Sequence, residues 1–143
     1  SSEMKSDDFE KKYITVVKGI IKDDENTINE PIYRPTDDSI KRVVDPRGQE
    51  SITHYKVLER LNDATVLKLR LETGRTHQIR VHMAHIGHPI IGDELYGYVD
   101  ENLIKRQALH AYGLKFKQPR TKEVLAFKAE IPDDMKILIE KLR

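Results

Sequence analysis

Apolar and polar residues alternate along several stretches of this chain, and the alternation predicts β-strands. Residues 12–18 (KYITVVK) are β-branched and aromatic and end at Gly19, which predicts a strand. Residues 52–59 and 64–71 are two further strand candidates separated by a polar turn, and we predict that they form a hairpin. Residues 23–45 are polar and contain two prolines, so we predict a long excursion with little regular structure there.

The spacing of apolar residues changes to that of a helix at residues 76–86. Thr76 is a candidate N-cap, and Gly87 followed by Pro89 provides a stop signal. The residues expected to face the core recur at helical spacing: Ile79, Met83 and Ile86. The pattern therefore predicts a short helix directly after the strand that ends at residue 71.

The C-terminal third predicts a second hairpin and a terminal helix. Residues 112–117 and 124–130 are strand candidates, with the turn around Gln118 and Pro119. Residues 133–142 begin with two acids, which favour a helix N-terminus, and the apolar stripe is expected at Ile137, Leu138 and Leu142. Hairpins with helices inserted between them predict an α+β fold on a mainly antiparallel sheet.

The composition indicates a globular chain of one domain's size. The chain has 143 residues, 38% of them hydrophobic and 34% charged, and no cysteine, which excludes disulfides and thiolate chemistry. No apolar run approaches the roughly 20 residues of a membrane-spanning helix, and the charged N-terminus does not have the pattern of a secretory signal. We therefore expect a cytoplasmic protein without a membrane partner.

The net charge of +1 conceals an uneven distribution. Residues 1–10 contain four acids and one lysine, whereas residues 101–122 contain one acid and six cations: Lys105, Arg106, Lys115, Lys117, Arg120 and Lys122. Such a basic stretch suits a polyanion such as RNA, because phosphate contacts dominate nucleic-acid affinity. The charge alone is more typical of a solvated face.

The segment from strand to helix at residues 71–86 contains a candidate site. Free N–H groups of the first helical turn favour a nearby anion. Arg80 lies one turn into the predicted helix, where it can bind a carboxylate or phosphate through two parallel hydrogen bonds. The alternative is a structural pair between Arg80 and either Glu72 or Asp93, and the residues by themselves leave both open.

The histidines of this segment raise the question of a metal site. His82 and His85 lie three residues apart, and His88 follows the predicted end of the helix. No HExxH spacing is present, and no acid lies within the helix to complete a ligand set. We therefore expect packing or RNA contacts for these side chains and no metal.

Four segments together resemble the RluA-type pseudouridine synthases. LETGRTHQIRVHMAHIGHPIIGDELYG (71–97) is close to the full family signature, and the similarity extends in consistent order over nearly the whole chain. The other matching segments are KKYITVVKG, PIYRPTDDSIKRVVDPRGQESITHYKVLE and RQALHAYGLKFKQP. The family's HRLD-type motif, which contains its nucleophilic aspartate, does not occur in these 143 residues.

The resemblance implies a function and roles for individual residues. It implies isomerisation of uridine to pseudouridine in RNA, ribosomal rather than transfer RNA, without a cofactor. Tyr13 resembles the tyrosine that stacks on the base, and Arg80 resembles the arginine that pairs with the catalytic aspartate. Ile90 or Ile91 resembles the aliphatic wall of the substrate pocket. RNA contact or support of the site is implied for Arg75, His77 and Gln78, and Lys115 and Lys117 are further candidates for RNA contact.

The missing motif leaves two readings of the chain. The first is the C-terminal portion of a pseudouridine synthase catalytic domain, inactive by itself because the N-terminal half holds the aspartate. The second is a non-catalytic RNA-binding module. Asp93 lies in the segment GDELYG, and this local sequence favours a role as an acid that caps a turn over a role as a replacement nucleophile.

Overall fold

The architecture is one antiparallel sheet with two helices and a small second sheet. The structure, a computed structural model, describes residues 9–118 and 120–143. The elements in chain order are β1 Phe9–Lys18, β2 Glu25–Asn29, β3 Ile32–Tyr33, β4 Val43–Val44, β5 Ile52–Arg60, β6 Ala64–Leu71, α1 Gln78–His85, β7 Leu109–Lys117, β8 Val124–Lys128 and α2 Asp133–Leu142. The predicted α+β class is confirmed.

β1 is a central strand, although it comes first among the described elements. The six-stranded sheet has the order β2-β5-β6-β1-β7-β8, and each neighbouring pair is antiparallel. The hairpins β5–β6 and β7–β8 were both predicted and are confirmed. Pro119, placed at the second predicted turn, lies outside the described residues. In the described residues, no helix is long and apolar enough to cross a membrane.

The prediction of little regular structure over residues 23–45 is wrong in part, because the range contains three short strands, although residues 34–42 form none. β2 pairs with β5 at the edge of the main sheet, and β3 pairs with β4 in a separate two-stranded sheet. Of the five residues of β2, only Ile28 is buried. An edge strand with one apolar contact has no alternating pattern to detect, so its pairing with β5 is decided by tertiary structure.

Helix α1 ends as predicted but begins later. Gly87 has φ of 87°, and its N–H and that of His88 bond to the carbonyls of Ala84 and Met83, which closes the helix C-terminus. The helix begins at Gln78 after His77, a left-handed residue with φ of 59°, and not after Thr76. The prediction of Thr76 as N-cap is wrong. The Gln78 side chain, and not that of Thr76, accepts hydrogen bonds from the loop before the helix.

Helix α2 has the predicted bounds, but its buried stripe is shifted. Its buried side chains are Met135, Leu138 and Ile139, and the partly buried Leu142 continues the i, i+3, i+4, i+7 pattern. Ile137, predicted to face the core, is 54% exposed. A helix with five candidate apolar positions admits more than one stripe, and packing against the sheet selects the one that begins at Met135.

The two faces of the main sheet differ in chemistry. Tyr13 lies opposite Leu69 and Ala111, and we call this side the Tyr13 face. Helix α1 lies on the same side, because its residues bond to Thr53, which pairs with Leu71 on that face. Lys12 and Arg70 lie opposite each other on the other side, which we call the Lys12 face.

Candidate functional site

The loop between β6 and α1 is held by the buried side chain of Gln78. Its Oε1 accepts hydrogen bonds from the Thr73 hydroxyl at 2.8 Å and the Arg75 backbone N–H at 3.0 Å. Its Nε2 donates to the Ile52 carbonyl and the Thr53 hydroxyl, both at 3.0 Å. With 2% exposure and all its bonds to protein groups, Gln78 supports the loop and does not face solvent.

Helix α1 is tied to the sheet by His82, which is fully buried. Its Nε2 lies 2.8 Å from the Glu30 carbonyl, and its Nδ1 lies 2.8 Å from the Thr53 hydroxyl. Because a carbonyl only accepts, Nε2 carries the proton and Nδ1 accepts from Thr53. Burial, the largest influence, lowers the pKa of His82, so the ring is neutral at pH 7.

Arg80 is clamped by Asp93 through two parallel hydrogen bonds. Its Nε donates to Asp93 Oδ2 at 2.9 Å, and its Nη2 donates to Oδ1 at 2.8 Å. Asp93 Oδ1 also accepts the backbone N–H groups of Leu95 and Tyr96. Asp93 therefore caps a turn, as predicted, and also forms the structural pair that the sequence left open for Arg80.

The Arg80–Asp93 pair remains ionised at neutral pH. Burial alone would raise the pKa of Asp93, but hydrogen bonds from Arg80, Tyr96 and Leu95 lower it below its usual value. The hydrogen bond with Asp93 raises the pKa of Arg80. The Asp93 side chain has no exposed surface, whereas 17% of the Arg80 side chain is exposed.

One edge of the Arg80 guanidinium is therefore still available. Asp93 occupies Nε and one N–H of Nη2, and no other hydrogen bond of this side chain falls within residues 9–118 and 120–143. Arg80 also lines an open depression together with Gly92, Leu95, Lys105 and Leu109. A carboxylate or phosphate in that depression can take the N–H groups of Nη1 and Nη2.

Tyr96 links Arg80 to the residues around it. The Arg80 guanidinium carbon lies 5.1 Å from the Tyr96 ring centroid, a cation–π contact. The phenolic oxygen of Tyr96 accepts the Arg42 backbone N–H at 2.8 Å and lies 2.7 Å from His77 Nδ1. Burial and the charges of Arg80 and Arg42 lower the pKa of His77, so the ring is neutral and Nδ1 accepts from the phenol.

Tyr13 lies in the middle of the sheet, on the same face as α1. A bulge separates Lys12 from Tyr13 where β1 pairs with β7. The side chain is partly buried, lines an open depression with Lys11, Ala111 and Leu114, and has its pKa raised by burial. The phenol is consequently protonated at neutral pH and offers both a ring face and a hydroxyl.

Ile90 and Ile91 are core residues. They are 0% and 1% exposed, and backbone bonds between Ile91 and Val16 and between Lys18 and Pro89 hold this segment against β1. In this structure the two side chains lie beneath the surface, so a substrate pocket lined by them stays a prediction.

The remaining predicted residues fall into two places. Arg75 donates from Nε to the Glu50 carbonyl at 2.9 Å and lies in the loop before α1. Lys115 is opposite Glu10 in the β1–β7 register, which places it and Lys117 on the Lys12 face, away from Tyr13. The basic stretch that reads as one patch in the sequence is thus divided, with Lys105 beside Arg80 and the two β7 lysines on the opposite face.

No group of three or more potential metal ligands occurs in the part of the chain that the structure describes. Both ring nitrogens of His82 already bond to protein groups, and His88 Nδ1 donates to the Lys18 carbonyl at 2.8 Å. His82 and His88 thus act as structural connectors, which is one of the two roles, packing or RNA contact, expected from the sequence.

The role of Tyr96 was missed by sequence reasoning. Arg42, whose backbone meets its hydroxyl, is 54 residues away in the chain, and no local pattern connects the two. The aromatic residue three positions after Asp93 in GDELYG was the one available signal, because a turn capped by an acid brings the following side chains back toward it.

Comparison with known proteins identifies the class to which this fold and site belong. A family model described as RNA pseudouridylate synthase matches residues 1–85. The chain therefore belongs to the RNA pseudouridylate synthase family, as the resemblance in the sequence implied.

Individual relatives and solved structures agree with this assignment. The chain is 48% identical over 93% of its length to the "Uncharacterized RNA pseudouridine synthase YlyB" of Bacillus subtilis and covers 44% of that protein. It is 43% identical over 81% of its length to the "Ribosomal large subunit pseudouridine synthase D" of Pasteurella multocida and covers 40% of it. The chain thus spans about half the length, or less, of the curated relatives it matches.

Solved structures show the same fold. "Human RNA Pseudouridylate Synthase Domain Containing 1" matches with a TM-score of 0.75 and 29% identity, over 90% of this chain and 56% of that one. "Human RNA Pseudouridylate Synthase Domain Containing 4" matches with a TM-score of 0.74 and 22% identity, over 94% and 62% of the two chains, which is a likeness of fold.

Proposed function

We propose that this chain is the C-terminal portion of the catalytic domain of an enzyme that isomerises uridine to pseudouridine in large-subunit ribosomal RNA. Its family membership supports the reaction, and relatives named as ribosomal large subunit pseudouridine synthases, at 40–43% identity, support the substrate. Because these relatives are bacterial and bacterial ribosomes lie in the cytoplasm, a ribosomal RNA substrate also implies a cytoplasmic location. The partner is RNA, together with the segment that supplies the nucleophile.

The reaction needs no external reactant. The C1′–N1 bond of uridine breaks, the uracil turns, and C1′ bonds to C5, while the C5 proton is lost and N1 gains one. A nucleophilic carboxylate that attacks the nucleoside must be ionised and held in position. No HRLD-type motif occurs in these 143 residues, so we propose that the aspartate comes from a segment outside this sequence.

The observation that carries the proposal is the state of Arg80. Asp93 holds one edge of its guanidinium rigidly, while the other edge borders an open depression. An arginine fixed in this way is preorganised to pair with a second carboxylate without losing side-chain freedom. Pairing with Arg80 would favour the ionised form of the incoming aspartate and orient it.

Tyr13 is suited to contact the base. A uridine within a structured RNA must leave its stack to react, and its base then needs an aromatic or apolar surface. The partly buried ring of Tyr13, on the same face as α1, offers this surface. Since its hydroxyl is protonated at neutral pH, it can accept the C5 proton only while passing its own proton to another group.

An assay of pseudouridine formation tests the proposal. Transcribed, unmodified large-subunit ribosomal RNA would be incubated with the 143-residue chain and, separately, with the product of the complete reading frame. We expect formation only with the complete product, and a Tyr13→Phe variant of it should bind RNA normally while turning over at least tenfold more slowly. Turnover by the 143 residues alone would mean that another carboxylate is the nucleophile. Absence of turnover in both, with RNA binding retained, would favour the non-catalytic binding module.

A further inference from the structure

The Lys12 face of the sheet contains an array of cations that the proposed reaction does not use. We call Lys12, Lys56, Lys68 and Arg70 the basic array. The strand registers place Lys12 directly opposite Arg70, and Lys56 directly opposite Lys68, so the array extends over three adjacent strands. Lys56, Lys68 and Arg70 are exposed, and together the four border one open depression.

The array is not neutralised by the protein around it. Within residues 9–118 and 120–143, Lys56, Lys68 and Arg70 take part in no ion pair, and Lys12 Nζ is 4.0 Å from Glu10 Oε2. Glu25 lies opposite Lys56 in the β2–β5 register without forming an ion pair. Glu72, a further acid on this face, is bonded to His54.

Like charges directly opposite each other on neighbouring strands destabilise a sheet. A merely solvated face would be more stable with alternating signs, as on most protein surfaces. Two opposed cation pairs side by side therefore reduce stability, and an anion that binds them offsets that cost.

We propose that the basic array is a second RNA-docking surface, which binds the phosphate backbone of the substrate RNA on the side of the sheet away from Tyr13. This inference rests on the proposed function for the identity of the RNA. An extended array across three strands suits a polyanion with regularly repeated charges better than a single phosphate or carboxylate.

The array should position the RNA without reading its sequence. Tyr55 and Leu69, the apolar residues between its members, face the opposite side of the sheet by strand alternation. The His54 ring also borders the depression, but both of its nitrogens bond to protein groups, Thr27 and Glu72. We therefore expect the cations to contact backbone phosphates and not bases. Lys115 lies on the same face two strands from Lys68, so a longer RNA could extend the contact toward β7.

Salt-dependent binding tests the proposal. The complete protein would be compared with its Lys56→Gln/Lys68→Gln variant in binding to transcribed large-subunit ribosomal RNA at several salt concentrations. Each phosphate contact adds roughly 0.7 to the log–log salt slope for single strands, so the slope should fall by about 1.4 and Kd should rise about tenfold at 0.15 M salt.

The control removes the same charge elsewhere. Lys22 and Lys136 are exposed and lie outside the array, and Lys22→Gln/Lys136→Gln should leave the slope within about 0.3 of the wild type. The melting temperature of the array variant should be unchanged or higher than that of the control, because opposed like charges have been removed.

The possible results separate the two proposals. An array variant with the salt slope of the control overturns the docking surface, even if the wild type forms pseudouridine. A melting temperature lowered well below that of the control, with RNA affinity unchanged, also overturns it and indicates that an acidic protein segment covers the array. A reduced slope in a protein that forms no pseudouridine supports the docking surface while contradicting the proposed reaction.

Discussion

Single side chains hold the candidate site together, and Arg80 is the clearest example. Its Nε and Nη2 bond to Asp93, and its remaining edge is available to a second carboxylate. Only a planar guanidinium can serve both partners at once, because a lysine ammonium is a single point of charge. The structural and catalytic roles that the sequence offered as alternatives are therefore compatible.

Replacing Arg80 with lysine should abolish most of the activity of the complete protein. We expect turnover to fall by about a hundredfold or more, as when one charge-stabilising donor is removed from an active site. Single-turnover pseudouridine formation measures this. Arg143→Lys is the control, since Arg143 bonds to Glu59 through the same two nitrogens, Nε and Nη2, and lies at the C-terminus, outside the candidate site. A rate near that of the wild type in Arg80→Lys would reduce Arg80 to a structural partner of Asp93.

The hydroxyl of Tyr96 should contribute to stability and to the position of Arg80. Tyr96→Phe keeps the ring against Arg80 but removes the bonds to the Arg42 N–H and His77 Nδ1. We expect a loss of about 1–2 kcal/mol in the free energy of unfolding and a lower kcat with little change in KM. Tyr98→Phe is the control, because the Tyr98 hydroxyl makes no hydrogen bond within residues 9–118 and 120–143. Equal effects of the two variants in denaturant titrations would contradict this role.

At the scale of elements, the segment between α1 and β7 positions Asp93 by close backbone approach. Gly92 has φ of 89°, and a Cβ added there would be 2.0 Å from the Arg106 carbonyl oxygen. Its N–H also bonds to the Tyr98 carbonyl. The turn before Asp93 is thus packed against the chain that leads into β7, and this contact fixes the carboxylate that holds Arg80.

A pair of glycine substitutions tests this packing. Gly92→Ala should cost about 3 kcal/mol or more, because the left-handed strain adds to a clash with backbone that cannot move alone. Gly87→Ala has nearly the same φ, 87°, but no atom within 4 Å of the added Cβ, so only the strain of about 1–2 kcal/mol applies. Thermal unfolding of both variants measures the difference, and equal costs would mean that the approach to Arg106 relaxes freely.

At the scale of the whole molecule, two neutral histidines, the buried His82 and the partly buried His77, connect parts of the chain that are distant in sequence. His82 joins α1 to β5 and to the Glu30 carbonyl, and His77 joins the start of α1 to Tyr96. Both have pKa values lowered mainly by burial, so the folded state resists their protonation. The stability of the whole fold therefore depends on pH through these two rings.

The free energy of unfolding should fall as the pH drops below about 6.5, the usual histidine pKa in an unfolded chain. There the unfolded state binds more protons than the folded state, which favours unfolding. A second loss of stability follows below about pH 4. As the pH falls through the lowered pKa of Asp93, this carboxylate is protonated and its ion pair with Arg80 is lost. Urea titrations from pH 8 to 3 measure both.

His82→Gln is the matched variant for the first of these losses. It should cost about 1–3 kcal/mol at pH 7, because the Thr53 hydroxyl or the Glu30 carbonyl loses a buried partner. It should also reduce the slope of the free energy of unfolding against pH between pH 7 and 5. The slope that remains comes from His77. A variant profile parallel to that of the wild type would show that His82 binds protons equally in the folded and unfolded states, and would contradict its lowered pKa.

The sequence by itself determined the local elements and the family. β1, the hairpins β5–β6 and β7–β8, and α2 have strong periodic patterns and turn signals, which depend only on neighbours in the chain. The signature in residues 71–97 likewise sufficed to identify the family that the comparisons confirmed. Arg80 and Asp93 were both singled out from it, but whether they pair could not be read from their spacing.

Tertiary structure alone decided which side chains meet. β2 has too little apolar surface for a sequence pattern to predict its pairing with β5. The buried stripe of α2 depends on the surface against which the helix packs. The separation of Lys105 from Lys115, the opposed cations of the basic array and the contact between Arg42 and Tyr96 all arise from strand order and register. Contacts between residues distant in the chain depend on the geometry of the whole sheet, which no local pattern encodes.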